Sequence, residues 1–134
     1  MLGRTMERLD RQECLKLMER HPAGVGRVAL AGPRPVIFPV NYAIDGDNIV
    51  FRTDPGTKFD AAVQKSYVAF EVDWVEPTWQ IGWSVVARGQ ARVVTEPKEL
   101  ERVRRLPLLP WAKGDKENFV TIDAELISGR RLVE

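Results

Sequence analysis

The chain has 134 residues, of which 44% are apolar and 29% are charged, as in an ordinary globular domain. We therefore expect one domain over residues 1–134 that is long enough to bury a hydrophobic core. The 20 basic and 19 acidic residues give a net charge of +1, which excludes a global electrostatic footprint for nucleic acid or an anionic membrane.

The first predicted element is a helix that follows Asp10, a suitable N-cap residue. Its apolar stripe consists of Cys14, Leu17 and Met18. We therefore assign Cys14 to packing rather than to catalysis. His21 is expected to close this helix, and one histidine with one cysteine makes a zinc site or a Ser-His-Asp triad improbable.

Three strands are predicted next. Residues 25–31, 36–44 and 48–53 alternate between apolar and polar side chains, as half-buried strands do. Turn-forming residues separate them at 32–35 and 45–47. The pattern predicts a local antiparallel meander.

Two further strands are predicted over residues 67–75 and 80–94. Gly89 is expected to mark a bulge or bend in the second, longer strand. A helix should follow, with Thr95 as its N-cap, and end near Arg105.

A last strand over residues 119–126 gives six predicted strands and three predicted helices, without βαβ alternation. This order favours a mainly β fold in which an antiparallel barrel carries peripheral helices.

The junction between the third strand and the next helix is a candidate anion site. Arg52 and Thr53 end the strand, and Thr57 is placed to cap a helix whose first residue is Lys58. Unpaired N–H groups at a helix start favour anions, and a lysine is unfavourable there unless something negative offsets it. The alternative is an ordinary turn with solvated charges, because the segment lacks the two glycines and the Gly-Lys-Ser/Thr run of a Walker loop.

Cysteine usage and hydropathy bear on the compartment. The single cysteine excludes an internal disulfide and is consistent with a reducing compartment. No stretch approaches the ~20 apolar residues that span a bilayer, and residues 1–8 lack the apolar core of a signal peptide. We expect a cytoplasmic protein without a membrane partner.

The order of these elements and several short motifs resemble the pyridoxamine 5′-phosphate oxidase-like flavin-binding split barrels. The resemblance covers residues 24–131 and points to the small bacterial branch that includes nitroimidazole-reductase-like members. Its motifs are Pro39-Val40-Asn41-Tyr42, Phe51-Arg52-Thr53 with Gly56 and Lys58, the runs 68–73 and 82–89, and Ser128-Gly129-Arg130-Arg131.

The resemblance implies a homodimer of six-stranded split barrels with FMN at the subunit interface. It puts the phosphate by Arg52, Thr53 and Lys58, the flavin ring along the second strand, and a further contact on the long strand near Ser84. The partner subunit would add residues from its C-terminal part. The residues it assigns to the cofactor are Pro39, Val40, Asn41, Tyr42, Arg52, Thr53, Lys58, Trp83, Ser84, Val85, Trp111 and Arg130.

The function that the resemblance implies is an FMN-dependent oxidoreductase that acts on a small planar acceptor. A flavin needs placement and electrostatics from its protein, so the lack of a recognisable nucleophile, metal cluster or acid/base pair in the sequence fits this chemistry. Vitamin B6 oxidation is not expected, because the C-terminal arginine and histidine motif of the true oxidases is missing.

Two alternatives remain. A deazaflavin cofactor has a longer acidic tail and would need further cations, for which Arg27, Arg34, Lys65 and Arg88 are the candidates. A flavin- or haem-binding carrier, store or sensor would bind without turnover.

Overall fold

The computed structural model describes residues 5–21, 24–64, 66–108 and 118–133. Two residues named above, Lys65 and Trp111, lie outside these ranges. In chain order the elements are β1 (Thr5–Leu9), α1 (Arg11–Arg20), β2 (Val25–Leu30), β3 (Val36–Asp45), β4 (Asn48–Thr53), α2 (Lys58–Val63), β5 (Tyr67–Glu76), β6 (Ile81–Val93), α3 (Pro97–Val103) and β7 (Asn118–Val133).

Strands β2 to β7 close into the predicted six-stranded antiparallel barrel. Neighbours run in the order β7-β4-β3-β2-β5-β6, and β6 pairs back to β7 to close the ring. The long strand β7 pairs with β4 through its first residues and with β1 through its last. The fold is thus a closed split barrel to which β1 adds a seventh strand.

The barrel interior is filled by the apolar face of each strand. Val28, Ile49, Phe51, Phe70 and Val85 are all fully buried there. One end of the barrel is covered by α1, whose Cys14 and Met18 side chains join the same cluster. A second cluster beneath α3 packs on the outer face of β4 and β7 through Val50, Val103 and Phe119.

Several local predictions are confirmed. Asp10 caps α1 by accepting the Glu13 N–H, and Thr57 caps α2 by accepting the Asp60 N–H. The pairing of β6 with β7 shifts register between Arg88 and Gly89, which is the predicted bulge.

Four local predictions were wrong in detail. The segment that became β1 was not predicted, and the tail at residues 128–131 continues β7. Glu96 rather than Thr95 caps α3, because Pro97 occupies the first helical position and the Glu96 carboxylate accepts the next two N–H groups. In α1, Leu15 is buried where Leu17 was expected, although Leu17 still packs on the cluster.

No helix in the described part of the chain is long and apolar enough to cross a membrane.

Candidate functional site

A cavity of about 270 Å³ lies at the predicted strand-to-helix junction, and we call it the junction pocket. It groups five of the predicted site residues with neighbours that the sequence did not single out. Its lining consists of Phe38, Pro39, Val40, Asn41, Arg52, Thr53, Asp54, Thr57, Phe59 and Leu108.

The junction pocket forms because β3 extends beyond its ladder with β4. β3 pairs with β2 from Val36 to Asn41, but its ladder with β4 covers only Tyr42–Asp45. The backbone edge of β3 before Tyr42 therefore faces the pocket instead of β4. A strand edge that lies outside a ladder can present N–H and C=O groups to a neighbouring group, although Pro39 contributes only a carbonyl.

Aromatic rings form one wall of the junction pocket. The rings of Phe38 and Phe59 lie 4.3 Å apart between centroids and 33° from parallel. Phe51 stacks on the far side of Phe59 at 5.9 Å and belongs to the barrel core. This wall gives the pocket an apolar aromatic surface that can contact the apolar part of a ligand.

The polar rim of the junction pocket carries both signs of charge. The Arg52 guanidinium lies 5.1 Å from the ring centroid of Phe119, which orients it by a cation–π contact. Asp54 lines the same pocket, and its Oδ1 atom is buried without a hydrogen-bond partner among the described residues. A buried carboxylate oxygen without a donor is costly, so this atom favours a ligand that donates a hydrogen bond.

The start of α2 already holds an anion, the carboxylate of Asp60. This side chain is buried, and it accepts hydrogen bonds from the Thr53 hydroxyl (2.6 Å), the Asn118 amide (2.9 Å), the Gln64 amide (3.0 Å) and the Gly56 N–H (3.2 Å). Burial alone would raise the pKa of Asp60, but these donors outweigh burial and lower it. The Thr53 hydroxyl therefore donates its proton to Asp60 rather than to a ligand.

Lys58 is exposed at the first position of α2 and does not line the junction pocket. It makes no ion pair with the residues that the structure describes. Its ammonium group is thus a solvated charge near the rim, at a helix start whose positive end is already neutralised by Asp60.

The other predicted contacts lie on a separate concave surface along β6, β7 and β1, which we call the strand groove. Two adjoining cavities of about 560 and 660 Å³ form it, and both are lined by Met6, Ser84 and Arg130. Ser84 and Arg130 are direct partners across the β6–β7 ladder, and Trp83 lines the cavity of about 560 Å³.

Two predicted residues lie in the core rather than at either surface. Tyr42 donates its hydroxyl to the Met18 carbonyl at 2.5 Å and packs edge-on against Phe70, and burial raises the pKa of its phenol. Val85 is fully buried in the barrel, and β5 and β7 pair with it on both sides. Neither side chain can reach a ligand, so we exclude both from the side-chain contacts considered below.

His21 is the C-cap of α1, as predicted, and its ring also contacts Trp83. Its Nδ1 accepts the Gly24 N–H at 3.2 Å, and its Nε2 lies 2.9 Å from the Asp73 carbonyl, to which it donates as the neutral tautomer. Its ring meets Trp74 and Trp83 edge-on at 5.7 and 5.9 Å. No local sequence signal links these residues, because the contact joins a helix end to a distant hairpin.

The residues that were not predicted as site residues are Phe38, Asp54, Phe59 and Leu108 in the junction pocket. Phe59 was not predicted to line a pocket because it lies on the apolar face of a short helix, where side chains usually pack against the core. Asp54 follows Thr53 directly, and its proximity to the predicted anion site was the available signal.

Among the described residues no group of three or more His, Cys, Asp or Glu side chains is placed to hold a metal ion. Cys14 is buried beneath α1, and burial together with Asp10 and Glu13 raises the pKa of its thiol. The thiolate is disfavoured, which agrees with a packing role.

Comparison with known proteins connects these features to one family. A family model described as pyridoxamine 5′-phosphate oxidase matches residues 10–131. An uncharacterized protein of Mycobacterium tuberculosis, Rv0080, is 34% identical, and the match covers 98% of this chain and 88% of that protein.

Two solved structures share both sequence and fold with this chain. The FAD binding protein of Mycobacterium smegmatis is 31% identical with a TM-score of 0.84, covering 95% of this chain and 98% of that one. A Corynebacterium diphtheriae protein of unknown function is 34% identical with a TM-score of 0.78, covering 96% and 98%.

Proposed function

The chain belongs to the pyridoxamine 5′-phosphate oxidase family, and on this premise we propose that it binds a flavin nucleotide in the junction pocket and acts as a flavin-dependent oxidoreductase. The observation that carries the proposal is the pocket itself. An aromatic wall, a strand edge that lies outside the β3–β4 ladder and an arginine converge in one cavity at the position where the family resemblance puts the cofactor.

The residues of the junction pocket suit the three parts of a flavin nucleotide. The edge of β3 from Pro39 to Asn41 offers backbone groups to the polar rim of a flavin ring. Arg52 is the cation for a phosphate, and the orphan Oδ1 of Asp54 would accept a hydroxyl of the ribityl chain. Phe38 and Phe59 supply apolar contact.

We further propose a homodimer in which the strand groove of one subunit completes the junction pocket of the other. The groove carries the remaining predicted contacts, Trp83, Ser84 and Arg130, which the fold separates from the pocket within one chain. Its surroundings expose Met6 (55%), Val75 (60%) and Trp79 (64%), more apolar surface than an isolated subunit needs. A second subunit would cover this face and bring both halves of the site together.

A bound flavin supplies two-electron transfer, here from a reduced nicotinamide donor to a small planar acceptor. The protein's part is to bind the nucleotide through Arg52, to orient the ring along β3, and to exclude water with Phe38 and Phe59. The described residues of the pocket offer no histidine or cysteine for proton transfer, so placement is their main contribution.

The second candidate function is a flavin carrier or store without turnover. It is favoured by the printed name of the Mycobacterium smegmatis relative, an FAD binding protein, which states binding and no reaction. The same pocket residues would hold the flavin in either case.

The deazaflavin and haem alternatives fit the structure less well. Of the cations considered for an acidic tail, Arg27 already pairs with Glu71 at 3.2 Å and with Asp73 at 3.6 Å. Haem ligation by His21 would have to break the hydrogen bonds that both of its ring nitrogens make.

Anaerobic spectroscopy separates enzyme from carrier. The flavin-loaded protein is mixed with NADH or NADPH and then with a quinone or a nitroaromatic, while the oxidised flavin band is followed. We expect bleaching by the donor and repeated reoxidation by the acceptor, at rates well above those of the same concentration of free flavin. Tight flavin retention without bleaching would reject the enzyme and support the carrier.

A further inference from the structure

Two arginines lie side by side in the strand groove, and we call them the arginine pair. Arg8 of β1 and Arg130 of β7 are direct partners in the antiparallel ladder, and both line the cavity of about 660 Å³. Partners in such a ladder point to the same face of the sheet, and like charges directly opposite each other are destabilising. The sheet therefore holds two positive charges together in an arrangement that a bound anion would stabilise.

The arginine pair has no acidic partner. Neither guanidinium forms an ion pair with a carboxylate of the residues that the structure describes. The adjacent pair in the same ladder is Glu7 with Arg131, and these two side chains form an ion pair at 3.2 Å. The sequence thus places a carboxylate opposite Arg131 but a second arginine opposite Arg130.

Two hydroxyl groups lie beside the arginine pair. Ser84 of β6 is the direct partner of Arg130 on the other edge of β7, so Arg8, Arg130 and Ser84 form one row across three strands. Ser128 lies two residues before Arg130 on β7 and therefore shares its face. Both serines line the same cavity as the arginine pair. Guanidinium and hydroxyl groups together are donors that suit phosphate oxygens.

The charge of the groove stays positive despite one carboxylate. Asp73 is the partner of Ser84 on β5, and it is the acidic residue among the described lining of the two cavities. Its Oδ1 lies 3.6 Å from the Arg27 guanidinium, which offsets its charge. The positive charge of the arginine pair is therefore left for a ligand.

The other end of the strand groove is apolar. The cavity of about 560 Å³ shares Arg130 with the first cavity. Its apolar lining consists of Met6, Val75, Pro77, Ile81, Trp83 and Leu132. Apolar and aromatic walls with a few polar groups are typical of small-molecule sites. A ligand that fits the whole groove combines an anionic group with an apolar ring system.

We infer that the arginine pair binds the diphosphate of a reduced nicotinamide dinucleotide, which makes the strand groove the electron-donor site. Each phosphate of such a diphosphate carries one negative charge, so each can pair with one guanidinium. The nicotinamide ring suits the apolar end of the groove. This role rests on the proposed function, because the proposed dimer brings the groove of one subunit to the flavin of the other.

Calorimetric titration of the flavin-loaded, full-length protein with NAD⁺ tests this site without turnover, because NAD⁺ carries the same diphosphate as NADH. Arg8→Gln should weaken NAD⁺ binding by about tenfold to a hundredfold, the size of a lost charge-assisted hydrogen bond. The dissociation constant of the flavin and the mass of the protein in solution should stay as in the wild type.

The matched control is Arg88→Gln. Arg88 is exposed on the same face of β6 as Ser84 but lines neither cavity of the groove. It should leave NAD⁺ binding unchanged. Salt gives a second readout, since raising the ionic strength screens exposed charges and should weaken NAD⁺ binding more in the wild type than in Arg8→Gln.

Three results would overturn the donor site. The first is an unchanged NAD⁺ affinity in Arg8→Gln. The second is an equal loss of flavin affinity, which would show that the arginine pair holds the phosphate of the flavin itself. The third is a change in the mass of the protein in solution, which would show that the arginine pair serves the subunit interface.

Inorganic diphosphate separates this inference from the proposed function. It is titrated into the protein after removal of any flavin. Binding that Arg8→Gln abolishes would support an anion site at the arginine pair, even in a protein that takes up no flavin and so contradicts the proposed function. A wild-type protein that binds flavin but neither NAD⁺ nor diphosphate would overturn the donor site alone.

Discussion

At the scale of single residues, Asp60 organises the junction between β4 and α2. Replacing it by Asn keeps one acceptor oxygen but turns an NH₂ group toward donors such as the Gly56 N–H and the Gln64 amide. We expect Asp60→Asn to lower the free energy of unfolding by about 2 kcal/mol, measured by chemical denaturation. Gln64→Ala, which removes a single donor, is the milder comparison.

Asp60 should also shape the acid stability of the protein. Its folded pKa is lowered, so its contribution to stability is present above the unfolded carboxyl pKa, about 3.9, and is lost as the pH falls through the lower folded value. The wild type should therefore lose more stability than Asp60→Asn between a pH of about 5 and 2. Parallel stability curves in acid for the two proteins would contradict this role.

Arg52 is the residue to which the proposed function assigns the flavin phosphate. Arg52→Gln should weaken binding of flavin nucleotides by about tenfold to a hundredfold, the size of a lost charge-assisted hydrogen bond, and leave riboflavin binding unchanged. Arg34→Gln, on the exposed β2–β3 turn, is the control for a lost surface charge. Equal losses for riboflavin and the nucleotides would show that Arg52 supports the fold rather than the phosphate.

The junction shows how far residue-level prediction reaches. The cap by Thr57 and the position of Arg52 at the strand end follow from local patterns and were predictable. Asp60 was expected to close a capping-box-like pair with Thr57, and its burial was not predicted. Its burial depends on Asn118, which is 58 residues away in the chain, and no local pattern encodes that contact.

At the scale of elements, Gly89 allows β6 to run alongside β7 across the bulge. A Cβ at this position would collide with the Asp123 carbonyl on the neighbouring strand. We expect Gly89→Ala to destabilise the protein by about 2 kcal/mol or more, measured by thermal or chemical unfolding. Gly32→Ala is the matched control, because the nearest atom to its added Cβ is 4.0 Å away, and a loss of the same size there would contradict the account.

Element prediction succeeded where a segment is amphipathic on its own. The strands β2, β5 and β6 bury alternate side chains, so the period of their apolar residues identifies the face that packs on the core. β1 reads as Thr-Met-Glu-Arg-Leu with only Leu9 buried, and it is a strand because it pairs with the end of β7. β7 continues to Val133 because β6 and β1 pair with the two edges of its last residues.

At the scale of the whole molecule, the proposed homodimer would bring the strand groove of one subunit to the junction pocket of the other. Val86 lines the groove, so Val86→Lys should convert the proposed dimer to a monomer and weaken flavin binding together with it. Size-exclusion chromatography with light scattering measures the mass, with Lys98→Glu on exposed α3 as the control. A wild-type protein with the mass of one chain while flavin is bound would contradict the shared site.

The barrel was predictable as a whole because its strands follow one another in the chain, and the family resemblance supplied its closure. The division of the predicted contacts between two surfaces was not predictable from spacing. Ser84 and Arg130 are paired across β6 and β7, whereas Pro39 and Arg52 line the same cavity beside β3. Only the barrel geometry shows that these pairs belong to different faces.

The central claim is that this chain is a flavin nucleotide protein whose site is the junction pocket. The most direct measurement is the mass of the compound that denaturation releases from the purified full-length protein. We predict the mass of a flavin nucleotide, either FMN or FAD, accompanied by the absorption of an oxidised flavin before release. A protein that releases no flavin and also takes up none when FAD and FMN are supplied would contradict the claim.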